Sequence, residues 1–211
     1  MKDALLFTAV VLLVLAIVLY VKNMIANGVT PNPATFFIRS TVAIINCFSY
    51  FTVVHQDNFK TSITVISAVG LSGIFFYALA RGKFTKLRWV DVTCAGAAMI
   101  IVVIWKSTGN AVVANLILQG VMLLSFYPAV NGVLYGHAKE KSSTWILATL
   151  CYVAMVMAIL VDWKTGSAYQ LVHPIVSGII GNGALAVAVL WHNGKKRLNI
   201  LSVYGWNSYL N

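Results

Sequence analysis

Residues 125–136 read SFYPAVNGVLYG. They lie inside a long apolar run, yet they hold Pro128, Asn131, Gly132 and Gly136. In a water-exposed helix an interior proline costs about 3 kcal/mol, because it removes a backbone donor and crowds the preceding turn. In lipid the same residue is tolerated where neighbouring helices, or a water-lined cavity, satisfy the freed backbone groups. The stretch therefore asks whether the chain lives in a membrane, and whether Pro128 is a packed static kink or the bend point of a gate.

Composition answers the first half. Of the 211 residues, 60% are hydrophobic and 9% charged, whereas soluble domains carry about 25% charged residues. The mean hydropathy is +0.84. Apolar stretches of about 18 residues or more recur along the chain, the length that crosses a bilayer as a helix. Hydropathy predicts spans at 4–22, 34–54, 62–80, 90–106, 111–136, 144–162 and 169–192. The expected fold is all-α, a polytopic membrane protein with seven transmembrane helices. The first span follows Met1-Lys2-Asp3; it is too long for a signal-peptide core and is expected to stay as a helix. The connections are short and leave no room for a separate extramembrane domain. The closing stretch HNGKKRLNILSVYGWNSYLN is basic, then aromatic, and is expected at the interface or against a partner.

The fifteen Lys and Arg residues divide unevenly between the two sides of the membrane. Lys2, Lys60, Lys106 and Lys164 fall on one side, beside Asp3, Asp57 and Asp162, and all the others fall on the opposite side. The rule that cytoplasmic loops are basic then predicts an N-terminus outside and a C-terminus in the cytoplasm, in a cell inner membrane. The formal charge of +10 is accounted for by contact with lipid headgroups and calls for no nucleic acid. Cys47, Cys94 and Cys151 are scattered in apolar segments and read as small packing residues.

The chain also echoes itself. The stretch VTPNPATFFIRSTVAIINCFSYFTVV lines up with AKEKSSTWILATLCYVAMVMAILVDW, so that Thr35-Phe36 corresponds to Thr144-Trp145. SAVGLSGIFFYAL lines up with VSGIIGNGALAVAVL, pairing Gly70 and Gly73 with Gly178 and Gly181. Spans one to three thus repeat as spans five to seven, with the fourth left over. An intervening odd span gives the two triplets the same membrane orientation, as parallel repeats about an axis along the membrane normal. The expected division is a first bundle at 1–88, a linker helix at 89–108, a second bundle at 109–193 and a basic, aromatic tail at 194–211.

LQGVMLLSFYPAVNGVLYGHAKEKSSTWILATLCYVAMVMAIL resembles the SWEET and semiSWEET sugar transporters and their PQ-loop relatives. Phe126-Tyr127-Pro128 stands where the family has its proline, residues 139–143 form the Lys-Ser turn, and Trp145 opens the next helix. GIIGNGALAVAVLW is similar to the family's seventh helix, which places Asn182 at its sugar-site asparagine. The resemblance implies a 3+1+3 architecture with the N-terminus outside and alternating access to a central site. The sequence departs from the pattern at Ala129, where the family has glutamine. It departs again at Ser72, where a second asparagine is usual, and in having Phe48, Tyr50 and Tyr152 as the nearest aromatics to the pocket tryptophans.

Polar residues inside the spans give an independent reading. Asn115, Gln119, Met122 and Ser125 share one helix face, and unpaired amides in hydrocarbon are costly, so that face should look inward. Asn46, Ser49 and Tyr50 make a comparable patch. With Asn182 and Ser72 they place neutral amides and hydroxyls near one depth, which suits a neutral polar solute; interhelical hydrogen bonds worth about 0.6 kcal/mol each remain the alternative. The expected solute-binding residues are Asn46, Tyr50, Ser72, Asn115, Gln119, Tyr152 and Asn182, with Tyr127 and Pro128 as the gate. Arg39 is expected to snorkel to the nearer interface, and His173 to sit at the outer mouth. The expected absence of a buried acid or histidine favours passive transport over a proton-coupled pump. No hydrolase, zinc-protease or phosphate-loop pattern occurs, so no enzyme, cofactor or metal is expected.

These readings converge on a facilitative carrier of a small neutral, sugar-like solute. Two alternatives are a carrier of the same architecture for nicotinamide riboside or another vitamin, and a non-transporting subunit of a larger membrane complex. The carrier reading leaves room for a homo-oligomer; the subunit reading rests on the aromatic tail.

Overall fold

A computed structural model describes residues 1–54, 57–108, 111–163 and 168–207, with side chains left aside at 52–53, 97–98, at several positions between 101 and 114, and from 196 onward. The described residues are helical and contain no strand. The helices are α1 (Lys2–Ile25), α2 (Pro33–Val53), α3 (Asn58–Ala80), α4 (Trp89–Thr108), α5 (Ala111–Leu134) and α6 (Ser142–Val161). The last helix, α7, has three consecutive sections: an α-turn at Tyr169–Val172, a π-helical section at His173–Gly181, and an α-helix at Asn182–Asn207. Six helices, α1, α2, α3, α5, α6 and α7, are long and apolar enough to cross a membrane. Together with the hydropathy, they make this an integral membrane protein.

Local chemistry sets the helix ends. The Asn32 side chain accepts from the Thr35 N–H at 3.0 Å, with Pro33 as the first helical residue of α2, an arrangement in which the missing proline donor costs nothing. The Asp57 carboxylate accepts from the Phe59 and Lys60 N–H groups, each at 3.0 Å. This cap starts α3 at Asn58, ahead of the predicted 62, and draws Lys60 into the helix. At the far face of the bundle, α1, α3 and α5 all stop in the same way. Asn27, Gly82 and Gly136 adopt φ of 56°, 60° and 72°, and the next N–H turns back to a carbonyl five residues earlier, as His137 does to Gly132 at 2.7 Å. A left-handed residue at this position closes the last turn of a helix.

In α1 the buried side chains Leu6, Ala9, Leu13, Ala16, Tyr20 and Met24 recur every three or four residues, so one stripe faces the bundle. The remaining faces are apolar as well: Phe7, Val18, Phe48, Val69, Phe76, Val187 and Leu190 all point outward. Only a hydrocarbon solvent accommodates that surface. Helix α3 packs against both α1 and α2, and α7 against both α5 and α6. Across the bundle α1 packs on α6 and α2 on α5, while α4 lies on α5 and α2.

The residues around Pro128 are tied from the start of α4. Pro128 lies inside a continuous α5. The Arg88 guanidinium donates to the Pro128 carbonyl at 3.1 Å and to Asn131 Oδ1 at 3.0 Å, and pairs with Asp91 at 3.5 Å. Asp91 also accepts from Asn32 Nδ2 at 2.9 Å. The proline turn is thus bound to the starts of α4 and α2. Helix α7 runs unbroken to Asn207, and residues 208–211, which complete the aromatic end, lie outside the described residues.

Two glycines set how closely α7 approaches. A Cβ at Gly178 would run into the Tyr152 ring, and one at Gly181 into the Phe126 ring; at Gly73 it would meet nothing. Gly178→Val and Gly181→Val should each lower stability by about 1–3 kcal/mol through overpacking, with Gly73→Val close to neutral, as thermal unfolding in detergent would measure.

Candidate solute-binding site

The site is built around the π-helical section of α7. Pro174 follows His173 and lacks an N–H, and the backbone widens over His173–Gly181. Short π sections recur at functional positions, because the wide turn re-aims the side chains it carries. Here His173, Ser177, Gly178 and Gly181 are buried. Asn182 closes the section, with Nδ2 donating to the Gly178 carbonyl at 2.8 Å and, at 3.4 Å, to that of Ser177.

Toward the N-terminal face, a buried network joins α2, α5 and α7. Asn115 Nδ2 donates to Asn46 Oδ1 at 2.8 Å and Gln119 Nε2 donates to the same oxygen at 3.1 Å. Gln119 Oε1 accepts from the Ser177 hydroxyl and faces His173 Nδ1 at 3.0 Å. Asn46 Nδ2 stands 3.5 Å from the same ring nitrogen; the shorter contact, to an oxygen that only accepts, favours the proton of a neutral His173 on Nδ1. Its Nε2 is left as a buried acceptor without a partner. Tyr50 and Tyr152 flank the imidazole, with ring centroids 5.1 and 5.6 Å away. The Tyr152 hydroxyl lies 3.2 Å from Ser67 Oγ.

Below this network lie two adjoining hollows of about 50 and 20 Å³, which share Arg39, Ser67, Leu71 and Tyr152 as walls. Arg39 is 7% exposed. Its Nη2 donates to Asn182 Oδ1 at 3.4 Å, and its guanidinium carbon stands 4.2 Å from the centre of the Phe126 ring and 5.3 Å from that of Trp145. Nε and Nη1 have no partner, nor does the Thr144 hydroxyl on the larger hollow.

Both ends above and below the hollows are tied. At the N-terminal face, Lys2 pairs with Asp57 at 3.2 Å and with Asp162 at 2.9 Å. The buried Lys60 ammonium lies 3.8 and 3.5 Å from the same two carboxylates and donates to Gln170 Oε1 at 3.3 Å. Partial burial pushes the Asp57 carboxyl up, but the Lys60 backbone N–H and the Lys2 ammonium outweigh it and hold the group below its ordinary range. The hydrogen bond from Lys2 likewise holds Asp162 down. At the far face, Glu140 accepts from the Tyr20 hydroxyl at 2.9 Å and from Trp145 Nε1 at 3.0 Å. Burial pushes its carboxyl up to about 8, against these two donors and the charge of Arg39.

Of the residues expected to bind solute, Asn46, Tyr50, Asn115, Gln119, Tyr152 and Asn182 meet around this centre, and all six are buried. Ser72 lines neither hollow, and Tyr127 and Phe48 point to the outer surface. Gly181 makes room for the Phe126 ring. Two readings are corrected. Arg39 does not snorkel: its head reaches Asn182, midway along the Tyr169–Lys195 span. His173 is no mouth residue but is buried beside Gln119, which removes the premise that favoured passive transport. A signal for each was present. Phe36, Arg39, Ala43, Asn46 and Tyr50 follow the spacing of one helix face, and His173 stands four residues before Ser177.

No protein-family model matches the chain, and neither a curated protein nor a solved structure is significantly similar to it.

The raised Glu140 carboxyl has a measurable consequence. An unfolded glutamate ionises near 4.5, whereas the folded protein keeps this proton up to about pH 8. Between those values the folded state binds the extra proton, so stability falls as pH rises. The melting temperature should drop from pH 5 to pH 8.5, and Glu140→Gln should flatten that slope; Asp57 and Asp162, held low, titrate below this window.

Proposed function

We propose that the chain is a SWEET-like carrier that moves a small polar solute by alternating access. Two parallel three-helix bundles, α1–α3 and α5–α7, would be joined by α4 and rock about the central hollows. The observation that carries this reading is a largely apolar chamber inside the bundle, with Arg39, Thr144 and Asn182 on its walls, whose two ends are each tied by bonds between the two halves. At one end Lys2 and Lys60 of the first half pair with Asp162 of the second. At the other, Tyr20 meets Glu140, and the Thr30 N–H donates to the Lys139 carbonyl at 2.8 Å. Releasing one set at a time is what a carrier requires.

The packing supports the repeat. A two-fold operation that exchanges α1 with α5, α2 with α6 and α3 with α7 turns the α1–α6 interface into the α5–α2 interface. Both occur, and the third helix of each triplet packs on the other two. Phe36 and Trp145, the paired aromatics of the repeat, both line the larger hollow. The basic loops favour the far face as cytoplasmic, with the N-terminus outside and the protein in the inner membrane.

Uptake by purified protein in proteoliposomes tests the reading, with a panel of sugars, nucleosides, vitamins and small acids. Saturable uptake and counterflow are expected. Asn182→Ala, which frees Arg39 from its one hydrogen-bond partner, should weaken solute affinity by about two- to twelve-fold, the value of one hydrogen bond of 0.5–1.5 kcal/mol, with membrane insertion unchanged.

A further inference from the structure

We infer that the solute received by the chamber is a short monocarboxylate anion, and that Arg39 is the cation on which it docks. The inference rests on the carrier reading above and names its substrate class. A guanidinium presents two faces and a planar edge of N–H donors. The guanidinium carbon of Arg39 stands over two aromatic rings, Phe126 at 4.2 Å and Trp145 at 5.3 Å. The edge is almost unused. One long bond joins Nη2 to Asn182, while Nε and Nη1 are buried with nothing to donate to.

Unpaired buried charges are the most expensive groups a protein can hold, and interior cations are almost always matched by an anion. Among the described residues none pairs with Arg39: the ion pairs are formed by Lys2, Lys60 and Arg88. Glu140 is taken up by Tyr20 and Trp145. The position that corresponds to Arg39 in the second repeat is Ala148, which lines the same hollow. The first half supplies a cation there, and the second supplies space.

The shape of the space narrows the anion. At about 50 Å³ the larger hollow holds three to five water-sized groups, at roughly 10–15 Å³ each, which suits a solute of few heavy atoms better than a hexose. Besides Arg39 the walls include the unpartnered Thr144 hydroxyl, together with the aliphatic side chains of Leu13, Ile17 and Leu71. An ionised oxygen pair for the guanidinium edge and a short apolar body for the aliphatic wall describe a small carboxylate. Inorganic phosphate or chloride would leave that wall without a partner. The amides that pointed to a neutral ligand are largely consumed by one another, which leaves the cation as the free recognition group.

The test uses the full chain, purified in detergent and reconstituted. Lactate is the probe; lactamide, the neutral analogue of the same shape, glucose and inorganic phosphate are the comparisons. Lactate should raise the melting temperature and enter proteoliposomes, competed by other short monocarboxylates, while lactamide at equal concentration does neither. That comparison needs no variant. Arg39→Gln should weaken lactate binding at least tenfold, and Arg39→Lys, which keeps the charge without the planar edge, should fall between. If lactamide serves as well as lactate, or if glucose or phosphate is carried while no carboxylate is, the inference is overturned and the carrier stands. If folded protein carries and binds nothing in any class, both fall.

Discussion

Lipid offers no hydrogen bonds, so every polar group in this bundle must find its partner inside the protein. The architecture around the centre follows from that demand. Asn46, Asn115 and Gln119 stand on two helices that touch, and they spend their amides on one another and on His173. The Arg88 guanidinium is spent on Pro128, Asn131 and Asp91. Where the demand goes unmet among the described residues, Thr35, Ser72, Thr85 and Gln170 are scattered exceptions, and the others share one place. The free edge of Arg39, the Thr144 hydroxyl and the Nε2 of His173 all border the two central hollows.

The π-helical section is what allows those exceptions to converge. It brings His173 and Ser177 to the amide network, while Gly178 and Gly181 admit Tyr152 and Phe126. The guanidinium carbon of Arg39 then stands over the Phe126 ring. Asn182, at the end of the section, does double work. Its Nδ2 holds the Gly178 carbonyl at the junction with the α-helix, and its Oδ1 orients Arg39. It is therefore a positioning residue for the cation before it is a contact for any solute.

How much of this is legible in the sequence depends on which rule each residue obeys. The spans are legible because hydrocarbon imposes a length and an apolar composition. The inward face of α5 is legible because amides cannot face lipid, and Asn115, Gln119, Met122 and Ser125 are all buried. Arg39 is not legible from depth alone. It stands about 9 Å along α2 from Pro33 at 1.5 Å per residue, a distance from which an arginine can turn either way. Its stripe, shared with Phe36, Asn46 and Tyr50, decides for the interior. Lys60 is misplaced in the hydropathy reading because that window begins after it; the Asp57 cap, a local feature, pulls it into α3. The π-helical section leaves no mark in hydrophobic periodicity beyond the proline and the glycine pair.

The two closed ends obey different physics. At the N-terminal face the bonds are ionic, and Lys2, Asp57 and Asp162 remain partly open to solvent. Such pairs are weak individually and are screened by salt, so that end is held loosely apart from the buried Lys60. At the far face the bond centres on a carboxyl that stays protonated up to about pH 8, between two donors in a half-buried loop. A neutral hydrogen-bonded group is not screened, and it changes only when its proton leaves. Ionisation there would set a carboxylate near Arg39, the one buried cation of the chamber, and would compete for the charge on which an incoming anion depends. On the proposal above, the far end would sense an anion at Arg39 through charge.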